Sequence, residues 1–141
     1  MKTTENPLIQ EFTLPGVNHI SAEDAFELLT NDQAVLIDVR DEDEVEEGNI
    51  PLDKVLYHPM PIIIERLPYI SKDQHIIIAC AEGIRSVKVA NLLNIKGYPS
   101  VTNLDGGLAI WQQKKLPYVQ KSNPKSGCGC GCSCSSNDSC N

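Results

Sequence analysis

No run of Ile, Leu or Val in the 141 residues is longer than three, as at Ile62 to Ile64 and Ile76 to Ile78, so no stretch is long enough to cross a bilayer as a helix. No apolar segment follows Lys2, which predicts a chain that is neither exported nor anchored and a cytoplasmic location. Positive charge is also in deficit. Twelve Lys and Arg stand against nineteen Asp and Glu, and the net charge of −7 repels phosphate backbones and anionic lipid heads, predicting neither a nucleic-acid nor a membrane partner. Two large domains are excluded by length. A chain of this size buries enough surface to need no disulfide framework, and cytoplasmic thiols are held reduced, so the six cysteines call for a chemical explanation.

The last 21 residues lack any aliphatic or aromatic side chain, containing only Cys, Gly, Ser, Asn, Lys, Pro and Asp. Such a segment cannot bury enough surface to offset the entropy of ordering itself. The composition therefore divides the chain into a folded domain, residues 1–120, with a charge of −8, and a flexible Cys-rich tail, residues 121–141, with a charge of +1.

Within residues 1–120, short β-branched runs alternate with helical patterns. This predicts an α/β fold with a mainly parallel central sheet flanked by helices on both faces. Strands are expected over 34–39, 55–58, 75–79 and 100–104. Ser21 with Asp24 marks a helix start whose stripe is Ala22, Ala25, Phe26 and Leu29. Residues 61–67 read as a short helix between prolines, and Ile84, Val87, Ala90 and Leu93 as a helix stopped by Gly97. Asp105-Gly106-Gly107 turns into a last helix through Trp111. The six carboxylates of Asp41 to Glu47 read as a solvated short helix closed by Gly48, since a helix splays consecutive carboxylates too far apart for a hard cation.

The chemistry concentrates in Cys80-Ala81-Glu82-Gly83-Ile84-Arg85-Ser86, between a buried strand and a helix. Strand carboxyl ends and the first turns of following helices form the crevice of open α/β sheets, because backbone N–H groups there point outward unpaired. A cysteine at that point sees the positive end of the helix and Arg85 nearby, both favouring thiolate over thiol. Gly83 allows the backbone to curl around the sulfur. Inert core packing would explain a lone buried cysteine. It gives no reason for a glycine, an arginine and a helix start to follow at loop spacing.

This segment resembles the C-x-x-G-x-R-S active-site pattern of the rhodanese family. Leu36-Ile37-Asp38-Val39-Arg40 is similar to the family's L-I-D-V-R strand, Glu47-Gly48-Asn49-Ile50-Pro51 to its E-G-H-I-P stretch, and Asn103-Leu104-Asp105-Gly106-Gly107 with Trp111 to its L-x-G-G-x-x-x-W ending. The resemblance spans roughly residues 17–118, with Asn49 where the family has His and Leu52-Asp53 where it has Gly-Ala. It implies sulfurtransferase activity: Cys80 takes a sulfane sulfur from thiosulfate, polysulfide or a persulfide, small or protein-borne, and passes it to a thiol or cyanide. Cys80 and Arg85 would be catalytic. Ala81, Glu82, Gly83, Ile84 and Ser86 would bind the donor, the backbone N–H groups and the Ser86 hydroxyl solvating the persulfide, and no cofactor is needed for catalysis. Asp38 and Arg40 would support the loop. Competing readings are a catalytically silent rhodanese-like binding or regulatory module, a soft-metal-binding protein, and a Cys-dependent phosphatase or arsenate reductase. Phosphatases of related architecture place five residues between Cys and Arg, whereas here there are four, giving a tighter ring suited to one sulfur atom.

The carboxylate of Glu82, two residues after the nucleophile, opposes a doubly charged donor such as thiosulfate. In the tail, Cys128, Cys130, Cys132 and Cys134 form an uninterrupted C-x-C-x-C-x-C run with Cys140 beyond, so that Gly and Ser let the thiolates wrap one soft ion, copper(I) or zinc. Sulfur relay from Cys80 to these thiols is the other reading, since a flexible linker of about ten residues spans roughly 16–19 Å. His19, His58 and His75 show no ligand spacing.

Overall fold

The isoleucine-rich runs fold as buried strands because side chains on both faces of a central strand must be apolar when helices cover both faces. The computed structural model describes residues 3–4, 7, 9–10 and 12–120. In chain order the elements are β1 (Thr3–Thr4), β2 (Asn18–Ile20), α1 (Ala22–Thr30), β3 (Val35–Asp38), α2 (Glu42–Glu47), β4 (Gly48–Asn49), β5 (Val55–Tyr57), α3 (Ile63–Arg66), β6 (Ile76–Ala79), α4 (Ile84–Ile95), β7 (Val101–Leu104), α5 (Gly107–Gln113) and β8 (Val119–Gln120). The main sheet runs β1-β2-β7-β6-β3-β5, parallel throughout except for β1 against β2. β4 and β8 pair separately as a small antiparallel ladder.

Alternation along β3 and β6 feeds two cores. Val35, Ile37, Ile76 and Ile78 join Ile63 of α3 and Val87, Ala90 and Leu93 of α4 on one face. Leu36, Ile77 and Ala79 join Ala22, Ala25 and Leu29 of α1 and Leu108 and Trp111 of α5 on the other. Each buried isoleucine contributes about 1.5–3 kcal/mol, so the strand that ends at Cys80 is among the most firmly held parts of the chain. Trp111 is fully buried, donates from Nε1 to Pro117 O at 2.8 Å, and meets Phe26 edge to face. Among the described residues no helix is long and apolar enough to cross a membrane.

Most expected elements are present, with informative differences. Ser21 caps α1, its hydroxyl accepting from the Asp24 amide as the capping pattern predicted. The helix expected over 61–67 is instead α3 between two 3-10 turns, Met60–Ile62 and Leu67–Tyr69, the second containing Pro68. Gly48 closes α2 with extended backbone. What requires glycine there is the Tyr118 ring, which a Cβ would meet at 2.6 Å. The stretch around Asn49, where the family pattern departs, forms β4 against β8, and the Asn49 amide donates to Val45 O at 3.3 Å.

The topology also places the crevice. β3 is followed by α2 and then β5 on one side, while β6 is followed by α4 and then β7 on the other. Connections from two adjacent parallel strands thus diverge, opening a gap outside their carboxyl ends, the general ligand position in open α/β sheets.

Candidate active site

Cys80 directly follows β6 and is only 1% exposed, with its sulfur at the amino end of the 12-residue α4. The Gly83 amide donates to Sγ at 3.0 Å and the Ser86 amide at 3.4 Å. Gly83 sits at φ +95°, the left-handed region that side chains rarely adopt, and this turn brings its amide and the first turn of α4 onto one atom. The loop is fixed from the other side too. Leu108 and Ala109, in the first turn of α5, donate to the carbonyls of Cys80 and Ala81 at 2.9 and 3.0 Å. A Cβ on Gly107 would lie 2.6 Å from Cys80 O, which is why the second glycine of the Gly106-Gly107 pair is needed.

Of the loop residues read from the sequence, Gly83 and Ser86 supply the amides that reach the sulfur. Ala81 contributes a carbonyl tied to α5, and Glu82 and Ile84 are exposed at the rim. The Ser86 hydroxyl lies 3.4 Å from Sγ and donates in a short contact to Asn103 Oδ1. Its proton is therefore directed to Asn103 on β7. Asn103 extends this chain. Its Nδ2 stands 3.0 Å from His19 Nδ1 and 3.1 Å from Gln10 Oε1, and His19 Nε2 lies 2.6 Å from Thr13 Oγ1. Burial pushes His19 below its ordinary value, against the smaller upward pull of Asp105.

The guanidinium of Arg85 is engaged by Glu44. Its two terminal nitrogens donate to the two carboxylate oxygens of Glu44 at 2.8 and 2.9 Å, with Asp41 at 4.0 Å. The hydrogen bonds from Arg85 are the main cause holding the Glu44 carboxyl at about 2, and the same bonds raise Arg85 above its ordinary value. The acidic helix read as merely solvated thus supplies one carboxylate to the site. Glu44 also accepts from the Asp41 amide at 3.1 Å, closing a capping box.

Asp38 and Arg40 act one step further back. Both are buried, Arg40 Nη2 donating to Asp38 Oδ2 at 2.7 Å and to Gly48 O at 2.8 Å, while Nη1 reaches Glu44 O at 3.5 Å and the Tyr118 hydroxyl at 3.3 Å. Arg40 clasps the carbonyls of α2 and so fixes the helix that presents Glu44. Sequence reasoning missed Glu44, Gln10 and Asn103. The Asp41-x-x-Glu44 capping spacing was a signal for the first. Asn103 has only partners distant in sequence, and among the hydrogen-bond partners of the Gln10 carboxamide only Phe12 is near.

A cleft of about 240 Å³ lined by Asp32, Lys54, Asp73 and His75 lies at the opposite ends of β3 and β6, away from Cys80. Among the described residues no group of three or more His, Cys, Asp or Glu is placed to hold a metal ion. The tail cysteines Cys128, Cys130, Cys132, Cys134 and Cys140 lie outside the described residues.

Comparison with known proteins agrees with this arrangement. The family model of the rhodanese-like domain matches residues 21–114. The thiosulfate sulfurtransferase GlpE of Pseudoalteromonas translucida is 33% identical over 103 residues, covering 73% of this chain and 96% of that protein. GlpE of Coxiella burnetii is 33% identical over 93 residues, covering 66% and 85%. The solved rhodanese-like domain protein of Staphylococcus aureus superposes with a TM-score of 0.63 at 30% identity, covering 74% of this chain and 98% of that one. With its strand order, its loop around Cys80 and these relatives, the chain belongs to the rhodanese family.

Proposed function

We infer that the protein is a sulfurtransferase in which Cys80 carries sulfur as a persulfide. The observation that carries this reading is the pair of amides, from Gly83 and Ser86, converging on Cys80 Sγ at 3.0 and 3.4 Å at the start of α4. A thiolate so placed attacks the outer sulfur of a donor. The new S–S bond forms as the donor's own sulfur bond breaks, and the donor remainder leaves with the electron pair, as sulfite from thiosulfate or a thiolate from a persulfide. The charge then rests on the outer sulfur of the Cys80 persulfide, within a loop rich in N–H donors. A thiolate or cyanide attacks that outer sulfur in turn, taking it as a persulfide or thiocyanate and restoring the Cys80 thiolate.

A protein persulfide fits the site better than thiosulfate does. The Arg85 guanidinium is already paired with Glu44, Glu82 stands exposed, and the body of the chain carries −8, so a dianion meets repulsion. The same pairing weighs against phosphatase or arsenate reductase chemistry, which needs the arginine for the oxyanion. In the tail, soft-metal binding by Cys128 to Cys140 is the companion proposal, supported by the unbroken C-x-C spacing.

The test is mass spectrometry after incubation with a sulfane donor, mapping the adduct to the Cys80 peptide. A gain of about 32 Da, one sulfur atom, that is absent in Cys80→Ser is expected from a covalent intermediate. Absence of the adduct with thiosulfate, polysulfide and protein persulfide alike would leave the silent binding module as the better reading.

A further inference from the structure

Gln10 precedes the residues matched to the family, yet its side chain sits at the centre of the bonds that shape the loop around Cys80. Its backbone is anchored first, the amides of Ile9 and Gln10 each donating to the Asp105 carboxylate at 3.1 Å. The carboxamide is then pinned in one orientation by groups with no choice of role. The Gly106 amide can only donate, and does so to Oε1 at 2.8 Å, while Phe12 O and Gly83 O can only accept, and take Nε2 at 2.8 and 3.1 Å. With Oε1 fixed as an acceptor, the Asn103 atom 3.1 Å away must be its Nδ2.

The remaining directions follow. Asn103 presents Oδ1 to Ser86, so the Ser86 hydroxyl donates there and keeps only lone pairs for the sulfur. Asn103 Nδ2 donates to His19 Nδ1, so a neutral His19 carries its proton on Nε2 and donates to Thr13 Oγ1. The polarity of a buried chain from Thr13 to Cys80 is thus set by Gln10. Close approach at Gly83 adds a second constraint: a Cβ there would run into Gln10 Oε1.

We propose that Gln10 is a positioning residue for Cys80, gripping the Gly83 carbonyl and orienting Asn103 against Ser86 so that the loop keeps two backbone N–H groups on the sulfur. This rests on the persulfide reading, since a cradle of set geometry matters only if Cys80 reacts. Gln10 touches neither donor nor sulfur, so its effect falls on the rate of the Cys80 step and not on donor binding.

The experiment compares full-length wild type with Gln10→Met, Gln10→Glu and Ile9→Ala. Methionine keeps the length of the side chain and removes its hydrogen bonds. Glutamate keeps the acceptor for Gly106 and Asn103 but cannot donate to Gly83 O. Ile9→Ala loosens the same segment without touching the carboxamide. Single-turnover loading of Cys80 by polysulfide is followed by mass spectrometry as donor concentration is varied. In parallel, alkylation of Cys80 by iodoacetamide is mapped to its peptide. Gln10→Met should lower the maximal loading rate and the alkylation rate about tenfold, the size expected when part of the worth of its four hydrogen bonds reaches the Cys80 step, with the half-saturating donor concentration unchanged. Gln10→Glu should fall between, and Ile9→Ala should react like wild type. Wild-type rates in both Gln10 variants, or equal losses in Ile9→Ala, would overturn the proposal. If wild type takes no sulfur from any donor, the persulfide reading fails, while the alkylation comparison still decides whether Gln10 positions Cys80.

Discussion

Glu44 and Arg85 meet across the gap between the ends of β3 and β6, each carboxylate oxygen accepting from one guanidinium nitrogen, at 2.8 and 2.9 Å. The two residues are 41 positions apart and belong to α2 and α4, in connections that diverge from adjacent strands. Their pairing engages the one cation of the Cys80–Ser86 loop. Glu44→Gln should therefore free Arg85 and raise the rate of sulfur transfer from thiosulfate relative to a singly charged persulfide. The gain should be largest at low ionic strength, where charge is least screened. Steady-state thiocyanate formation with each donor measures it, and an unchanged donor ratio would mean that Arg85 plays no part in donor choice.

The pair also carries a pH signature. Glu44 is held at about 2, below its ordinary 4.5, chiefly by the hydrogen bonds from Arg85. Because the folded value is the lower, the unfolded chain takes up the proton first as pH falls. The pair's stabilisation is complete above about pH 4.5 and is lost as pH drops toward about 2. The gap in melting temperature between wild type and Glu44→Gln should hold steady from neutrality to about pH 5 and shrink below it. Both side chains are about one-third exposed, so the gap should be small and reduced further by salt. A gap that widens on acidification would contradict this assignment.

Gly83→Ala should disable the loop more than it destabilises the fold. A left-handed backbone costs a side chain about 1–2 kcal/mol, and the new methyl would collide with Gln10 Oε1. Relief requires moving either the Gly83 amide from the sulfur or Gln10 from Asn103. A displacement of about 1 Å is enough for roughly a hundredfold loss of rate, so persulfide loading should collapse while chemical denaturation shows a loss of only a few kcal/mol. Loading at the wild-type rate would show that the Gly83 amide is not needed at the sulfur.

How much of this was legible beforehand follows from the range of the interactions involved. The isoleucine runs of β3 and β6, the Ser21 cap and the Gly97 stop are local signals, and the elements they mark are present within a residue or two. β1, β2, β4 and β8 are two or three residues long and exist only because a partner strand pairs with them, so no local period announced them. The same division holds in the site. Cys80, Gly83 and Ser86 are joined by a turn of seven residues and could be read as a unit. Glu44 was hidden because an acidic run on a short helix is ordinarily solvated, and only its partner on another loop gives it a role. Gln10 and Gly83 are 73 residues apart, and the hydrogen bond between them has no counterpart in the sequence pattern.

The last prediction concerns the tail, whose five cysteines nothing in the folded domain requires. Thiolates must lose their protons to bind a metal, and on a Gly and Ser backbone they chelate without a preformed scaffold, at the entropic cost of ordering the segment. Titration of the reduced full-length chain with copper(I) and with zinc should show uptake with proton release, weakening as pH falls. That uptake should survive Cys80→Ser and vanish in a chain ending at residue 120, while persulfide loading of Cys80 persists in the shortened chain. The relay reading gives a different pattern: the shortened chain would load normally but discharge slowly, and in the full chain the lost sulfur would be found on Cys128 to Cys140. A metal site and a relay compete for the same thiolates. Copper(I) bound to the tail should therefore block any transfer to it and leave cyanide discharge of Cys80 unaffected.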